Sequence, residues 1–138
     1  MWKWIPKEEL VHIIPLVQLL NPELSFDVLK ERLEEMTGRG YECLGYYSEG
    51  KLLGACGVWT LTKFYAGRHL EIDNVIVDPS LRGSGIGEEL LLRIEQIAKE
   101  RECIGIELNC YVHNAKAHKF WFRHGYEIKG FHFIRSVS

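Results

Sequence analysis

The residues best suited to chemistry are Arg82-Gly83-Ser84-Gly85-Ile86-Gly87, and their composition fits an anion site. Three glycines within five residues let the backbone turn tightly and let a ligand come close to it. The stretch lies between an extended apolar run, Val75-Ile76-Val77, and an amphipathic one, Glu88 to Lys99. The second run predicts a helix whose buried stripe is Ile86, Leu90, Ile94 and Ile97. The loop's N–H groups then gather at a helix N-terminus, with the positive end of the dipole behind them and Arg82 beside them. A phosphorylated ligand is the expected occupant. A glycine-rich turn with no ligand is the alternative.

Two common phosphate motifs do not fit. A P-loop needs Lys-Ser/Thr after its last glycine, and Gly87 is followed by Glu88. The dinucleotide fingerprint needs a glycine at its sixth position, which counted from Gly83 is Glu88.

The elements around the loop can be read in order. Trp2 to Ile5 makes a short strand ended by Pro6. Lys7 to Leu20 has helical spacing, with Pro15 expected to kink or split it. Ser25 is a candidate N-cap for a helix carrying Phe26, Leu29, Leu33 and Met36, ending at Gly38-Arg39-Gly40. Tyr41 to Tyr47 and Leu52 to Leu61 form a hairpin, and His69 to Val77 a third long strand. In that strand Leu70 and Ile72 keep one parity while Val75 and Val77 keep the other, so a bulge is expected near Asp73-Asn74. After the loop and its helix, Cys103 to Leu108 reads as a buried strand. Asn114 caps a last helix through His124, and Tyr126 to Ile128 and Phe131 to Val137 read as strands. A strand, crossover helix and strand within a mostly antiparallel context is an α+β, three-layer arrangement.

Size and composition narrow the class. The 138 residues suit one domain spanning 1–138, with a real core. The net charge of −2 gives no general pull toward nucleic acid or an anionic membrane, so neither is expected as a partner. No apolar run is long enough to span a bilayer, and the first residues do not read as a signal peptide, so a cytoplasmic location is expected. Cys43, Cys56, Cys103 and Cys110 lack C-x-x-C spacing, and Cys56 and Cys103 read as buried small hydrophobes. His113, His118 and His124 are not spaced for one helical face, so no metal is expected.

Arg82-x-x-Gly85-x-Gly87 after Val77-Asp78-Pro79 resembles the acyl-CoA-binding motif of the GNAT superfamily of N-acetyltransferases. The stretch from Asn114 to Tyr126 resembles that family's second motif, and the two lie in the family's order. The resemblance covers nearly the whole chain and implies a GNAT-like α/β/α domain with a central mixed, mostly antiparallel sheet. It implies acetyl-CoA as co-substrate and a primary amine as acceptor, a small-molecule amine ahead of a protein amine. It allows a homodimer, which the sequence itself does not specify.

The resemblance also distributes roles. The backbone of Arg82, Gly83, Ser84, Gly85, Ile86 and Gly87 would hold the CoA pyrophosphate. Val75, Ile76 and Val77 on the bulged strand, with Asn114, would meet the pantetheine arm, and a strand N–H near Val75 would stabilise the oxyanion. A carboxylate on the central strand is the usual base for an amine that must lose a proton before attack. Glu71 is the first choice, Asp73 the second and His69 the third; the alternative is that these carboxylates only bind the amine's charge. The family often places a tyrosine on the last helix to protonate the CoA thiolate. The aligned position is Trp121, whose indole N–H is a donor but not a practical acid. Water, Tyr111, His118 or Tyr126 would then serve. A CoA-binding module without transfer activity is therefore the alternative function.

Overall fold

The computed structural model describes residues 1–81 and 83–138. They divide into two compact units, Met1–Glu107 and Leu108–Ser138. The first unit opens with β1 (Trp2–Trp4) and a 3-10 segment (Lys7–Ile13) that runs into α1 (Ile14–Leu20). Pro15 sits in the first turn of α1, where its missing N–H costs no helical hydrogen bond. The expected split at this proline is thus a change from 3-10 to α geometry. Next comes α2 (Phe26–Gly38), whose first turn donates the Val28 N–H to the Ser25 hydroxyl at 3.2 Å.

Strands β2 (Glu42–Ser48), β3 (Lys51–Lys63) and β4 (Gly67–Val77) pair antiparallel in succession. A 3-10 turn (Pro79–Leu81) leads toward α3 (Ile86–Glu100), and β5 (Gly105–Leu108) follows. The strands lie in the order β1-β2-β3-β4-β5 in one mixed sheet. The α3 crossover is what lets β5 join the free edge of β4.

Register separates the two faces of this sheet. Cys43, Ala55 and Ile76 share one face and pack with Ile13, Ile14, Leu29 and Leu33 from beneath and within α1 and α2. Leu44, Cys56, Val58, Leu70 and Ile72 share the other. That second face carries α3. The indole N–H of Trp2 donates to the Ile86 carbonyl at 3.0 Å, which fixes the start of the helix. At its end, Arg101 makes a two-pronged contact with the Glu42 carboxylate at 2.7 and 3.1 Å and a third bond to Thr60. Helices on both faces of one sheet make the three layers expected.

The second unit holds α4 (Ala115–Arg123). Three expectations are corrected. Cys103 lies in the turn after α3, so the fifth strand is shorter than Cys103 to Leu108. Its residues are half-buried, because β5 is an edge strand. Residues 126–138 carry no strand, although their alternation is strand-like. Alternation supplies a face but no ladder, and an isolated hairpin in water is marginal.

Candidate active site

The carboxylates Glu71 and Asp73 stand on the α1/α2 face of β4, opposite Trp59 and Gly57. Regular pairing over this stretch keeps both side chains on one side of the sheet. Asp73 accepts a hydrogen bond from the Trp59 indole at 3.0 Å. Trp59 in turn meets Tyr41 edge to face at 5.4 Å between ring centres. Gly57 lets these groups close up: a Cβ there would stand 2.6 Å from Tyr41 and 2.7 Å from the Asp73 carbonyl.

His69 is on the same face and fully buried. Its Nδ1 lies 3.0 Å from the Gly67 carbonyl, which only accepts, so this nitrogen carries a hydrogen. Nε2 lies 3.3 Å from one Glu107 oxygen on β5 without hydrogen-bonding it, while the other Glu107 oxygen accepts from the Tyr65 hydroxyl at 2.8 Å. That carboxylate pushes the exposed Tyr65 hydroxyl above its ordinary range. Sequence reasoning missed Glu107. The available signal was a lone acid inside an apolar run, Cys103 to Leu108.

The bulge stands where parity placed it. Asp73 pairs with Gly57 and Ile76 with Ala55, so Asn74 and Val75 together oppose Cys56. Asn74 has φ of 51°, a left-handed conformation that Asn tolerates better than most residues. The extra residue brings Ile76 to the face of Asp73 and returns Val77 to the face of Leu70 and Ile72. Val75 is left exposed. An unpaired position in the ladder is a place where backbone can meet a ligand.

The strand leads directly into the glycine loop. The Asp78 N–H donates to the Leu53 carbonyl at 2.7 Å, and Asp78 accepts from the Ser80 N–H at 2.9 Å. That second bond holds the Asp78 carboxyl below its ordinary range. Gly83 and Gly85 have φ of 79° and 75°, and open space lies where either would carry a Cβ. Gly85 is the N-cap of α3 and offers no capping side chain, so the first amides of the helix, from Ile86 and Gly87, have no partner within it. Ser84 turns its N–H and its hydroxyl toward the Leu81 carbonyl. Arg82, assigned to this loop from the sequence, lies outside the described residues. The arrangement fits the phosphates of a nucleotide-type cofactor: glycine cradle, helix N-terminus, and clear space above both.

The sequence pattern of the Acetyltransferase (GNAT) family matches residues 13–126. The chain belongs to the GNAT acetyltransferase family. It is 31% identical over 96 residues to glucosamine 6-phosphate N-acetyltransferase 1 of Oryza sativa subsp. japonica, covering 65% of this chain and 58% of that protein. Over 67 residues it is 33% identical to an aminoalkylphosphonate N-acetyltransferase of Salmonella typhimurium strain LT2, covering 49% of this chain and 44% of the relative. The chain thus matches about half the length of these relatives. In fold it is similar to the aminoglycoside N-acetyltransferase AAC(6')-Iy in complex with CoA, with TM-score 0.85, 17% identity and coverage of 100% and 95% of the two chains. It is also similar to the ribosomal-protein-alanine N-acetyltransferase of Brucella melitensis biovar Abortus 2308, with TM-score 0.83, 20% identity and coverage of 100% and 99%.

Two of the residues that the GNAT resemblance selects belong to the second unit. Asn114 caps α4, its side chain accepting from the Ala117 N–H at 3.2 Å. Trp121 packs edge to face against Phe120 and Tyr126, at 5.2 and 5.0 Å. A His118 ring nitrogen lies 2.9 Å from the Tyr111 carbonyl.

Buried thiols lie near the carboxylates but are poor nucleophiles. Burial pushes the Cys43 thiol up to about 11 and raises that of Cys56 further, so both stay protonated at neutral pH.

Proposed function

We propose that this chain is an N-acetyltransferase that moves an acetyl group from acetyl-CoA to a primary amine of a small molecule, with residues 1–138 acting as one domain. The observation that carries this reading is a single run of chain: carboxylates on one face of β4, a bulge after them, then glycine amides at the start of α3. Each part has a task. Glu71, with Asp73 as second choice, takes the ammonium proton directly or through water. The free amine attacks the thioester carbonyl; the C–N bond forms, the nitrogen sheds its second proton to water, the C–S bond breaks and CoA leaves as thiolate. A backbone N–H near Val75 stabilises the oxyanion between these events. The loop from Arg82 to Gly87 holds the pyrophosphate, and Val75, Ile76, Val77, Asn114 and Trp121 hold the rest of CoA. Water, Tyr111, His118 or Tyr126 supplies a proton to the thiolate in place of the family's tyrosine. The small-molecule acceptor is supported by the named activities of the rice and Salmonella relatives, both acting on small amines. We assign the enzyme to the cytoplasm.

Trp121 favours one second reading, a module that binds CoA without transfer. Two measurements separate the readings. Acetyl-CoA at a hundred times its Kd should add about 2.7 kcal/mol of stability. No thermal shift with acetyl-CoA or longer acyl-CoAs would sink both. Thiol release over a panel of amines identifies the enzyme, whereas a shift without release identifies the module.

A further inference from the structure

A cavity of about 190 Å³ lies between α1, α2 and the bulge of β4. Its walls are mostly apolar side chains of the two helices, and four polar residues reach it: Arg32, Asn74, Asn21 and Tyr41. Two of these are already engaged. The Asn21 amide donates to the Val17 carbonyl at 3.1 Å. Tyr41 is buried against Trp59, with its hydroxyl raised far above its ordinary range by that burial. Arg32 and Asn74 remain. No ion pair or hydrogen bond joins Arg32 to another described residue. No acid lines the cavity among the described residues.

We propose that this cavity binds the acceptor, and that the acceptor is a small amine that also carries an anionic group, which Arg32 holds. The inference rests on the acetyltransferase reading above. A guanidinium fork matches the oxygens of a carboxylate, phosphonate or phosphate, and no carboxylate among the described lining residues competes for it. No acid lines the far side among the described residues, but one lies next along the strand. Asn74 lines the cavity, and the residue before it is Asp73, whose carboxylate accepts from Trp59, the ring that meets Tyr41 of the cavity wall. A ligand whose anion sits at Arg32 then has its amine end at the Asn74 side, next along β4 to the carboxylates. A simple alkylamine, an ammonium alone at neutral pH, gives Arg32 nothing to hold.

The test compares 2-aminoethylphosphonate, β-alanine and propylamine as acceptors with acetyl-CoA, on the wild type, Arg32→Gln and Arg32→Lys. Arg32 is exposed on α2, so both variants should fold. The wild type should favour the phosphonate or β-alanine over propylamine by about tenfold or more in kcat/KM. Arg32→Gln should bring that ratio close to one, and Arg32→Lys should restore part of it. Which anionic arm wins separates a phosphonate or phosphate site from a carboxylate site. Titration calorimetry of the same three compounds without acetyl-CoA reads the site independently of turnover. Anion-dependent binding lost in Arg32→Gln, with no turnover of any amine, keeps this site and overturns the acetyltransferase reading. Turnover with equal kcat/KM for all three compounds, or a preference that survives Arg32→Gln, overturns this inference and leaves that reading standing. Neither binding nor turnover overturns both.

Discussion

Strand β4 shows different chemistry on its two faces. Toward α3 it presents Leu70 and Ile72, at 0% and 5% exposure, in a largely apolar layer whose polar groups, Thr60 and Glu42, bond Arg101 at the end of the helix. Toward α1 and α2 it presents His69, Glu71 and Asp73, with Ile76 entering only beyond the bulge. Alternating residues of one strand thus belong to different jobs, because successive side chains point to opposite sides. One face holds the sheet to its helix. The other carries groups that can move or bind protons. The practical consequence is that stability and catalysis should be separable by single substitutions one residue apart.

Glu71→Gln should give the largest effect. It removes the proposed base while conserving shape, so kcat should fall by about 10²–10⁴, with the thermal midpoint nearly unchanged. Unchanged turnover in Glu71→Gln, with a collapse in Asp73→Asn, would move the base by two residues along the same face. Leu70→Ala should do the reverse. It opens a hole on the α3 face and should cost about 2–5 kcal/mol of stability in urea unfolding. The folded fraction should keep most of its activity per molecule. A Leu70→Ala protein that is stable but inactive would break the separation of faces.

Gly57→Ala lies between these cases, since Gly57 faces Asp73 on the carboxylate side. Its added methyl meets Tyr41 and the Asp73 carbonyl well inside contact distance, so the cost should be about 1–3 kcal/mol. Because the displaced groups include Asp73 itself, activity should fall as well. A loss of stability alone would show that the Asp73 backbone position does not matter for turnover.

The same contrast explains what could be read from the sequence. The apolar face was legible because burial leaves a periodic trace: Leu70 and Ile72, then a slip of parity at Asp73-Asn74 that marked the bulge. The glycine loop was legible because a positive φ and an open cradle leave glycines behind. The acceptor cavity was not. Its parts, Arg32, Tyr41 and Asn74, come from a helix, the segment after it and a strand, and each is ordinary in its own neighbourhood. Glu107 was hidden for a related reason, since its partner His69 lies on another strand. The strands expected after Tyr126 failed on the opposite ground, for alternation was present and a ladder was not.

The smallest effect tests how dry the two faces are. Each carries one buried thiol, Cys43 on the carboxylate side and Cys56 on the α3 side. Burial is the first cause of both raised values, and the charge of Asp73 adds to each. For Cys43 the folded value, about 11, stands above the ordinary 9.0. A raised value means that the folded state keeps its proton longer. The stabilising share is therefore complete below pH 9 and is lost as pH rises toward 11. Each such thiol steepens the alkaline decline by up to ~1.4 kcal/mol per pH unit over its window. Cys43→Ala should flatten the curve of urea stability against pH between 9 and 11, while Cys56→Ala should flatten it further into alkali. An unchanged slope in Cys43→Ala would mean that water reaches the thiol. The carboxylate face would then be wet beneath the helices as well as at its mouth, and the apolar seal under Asp73 would be absent.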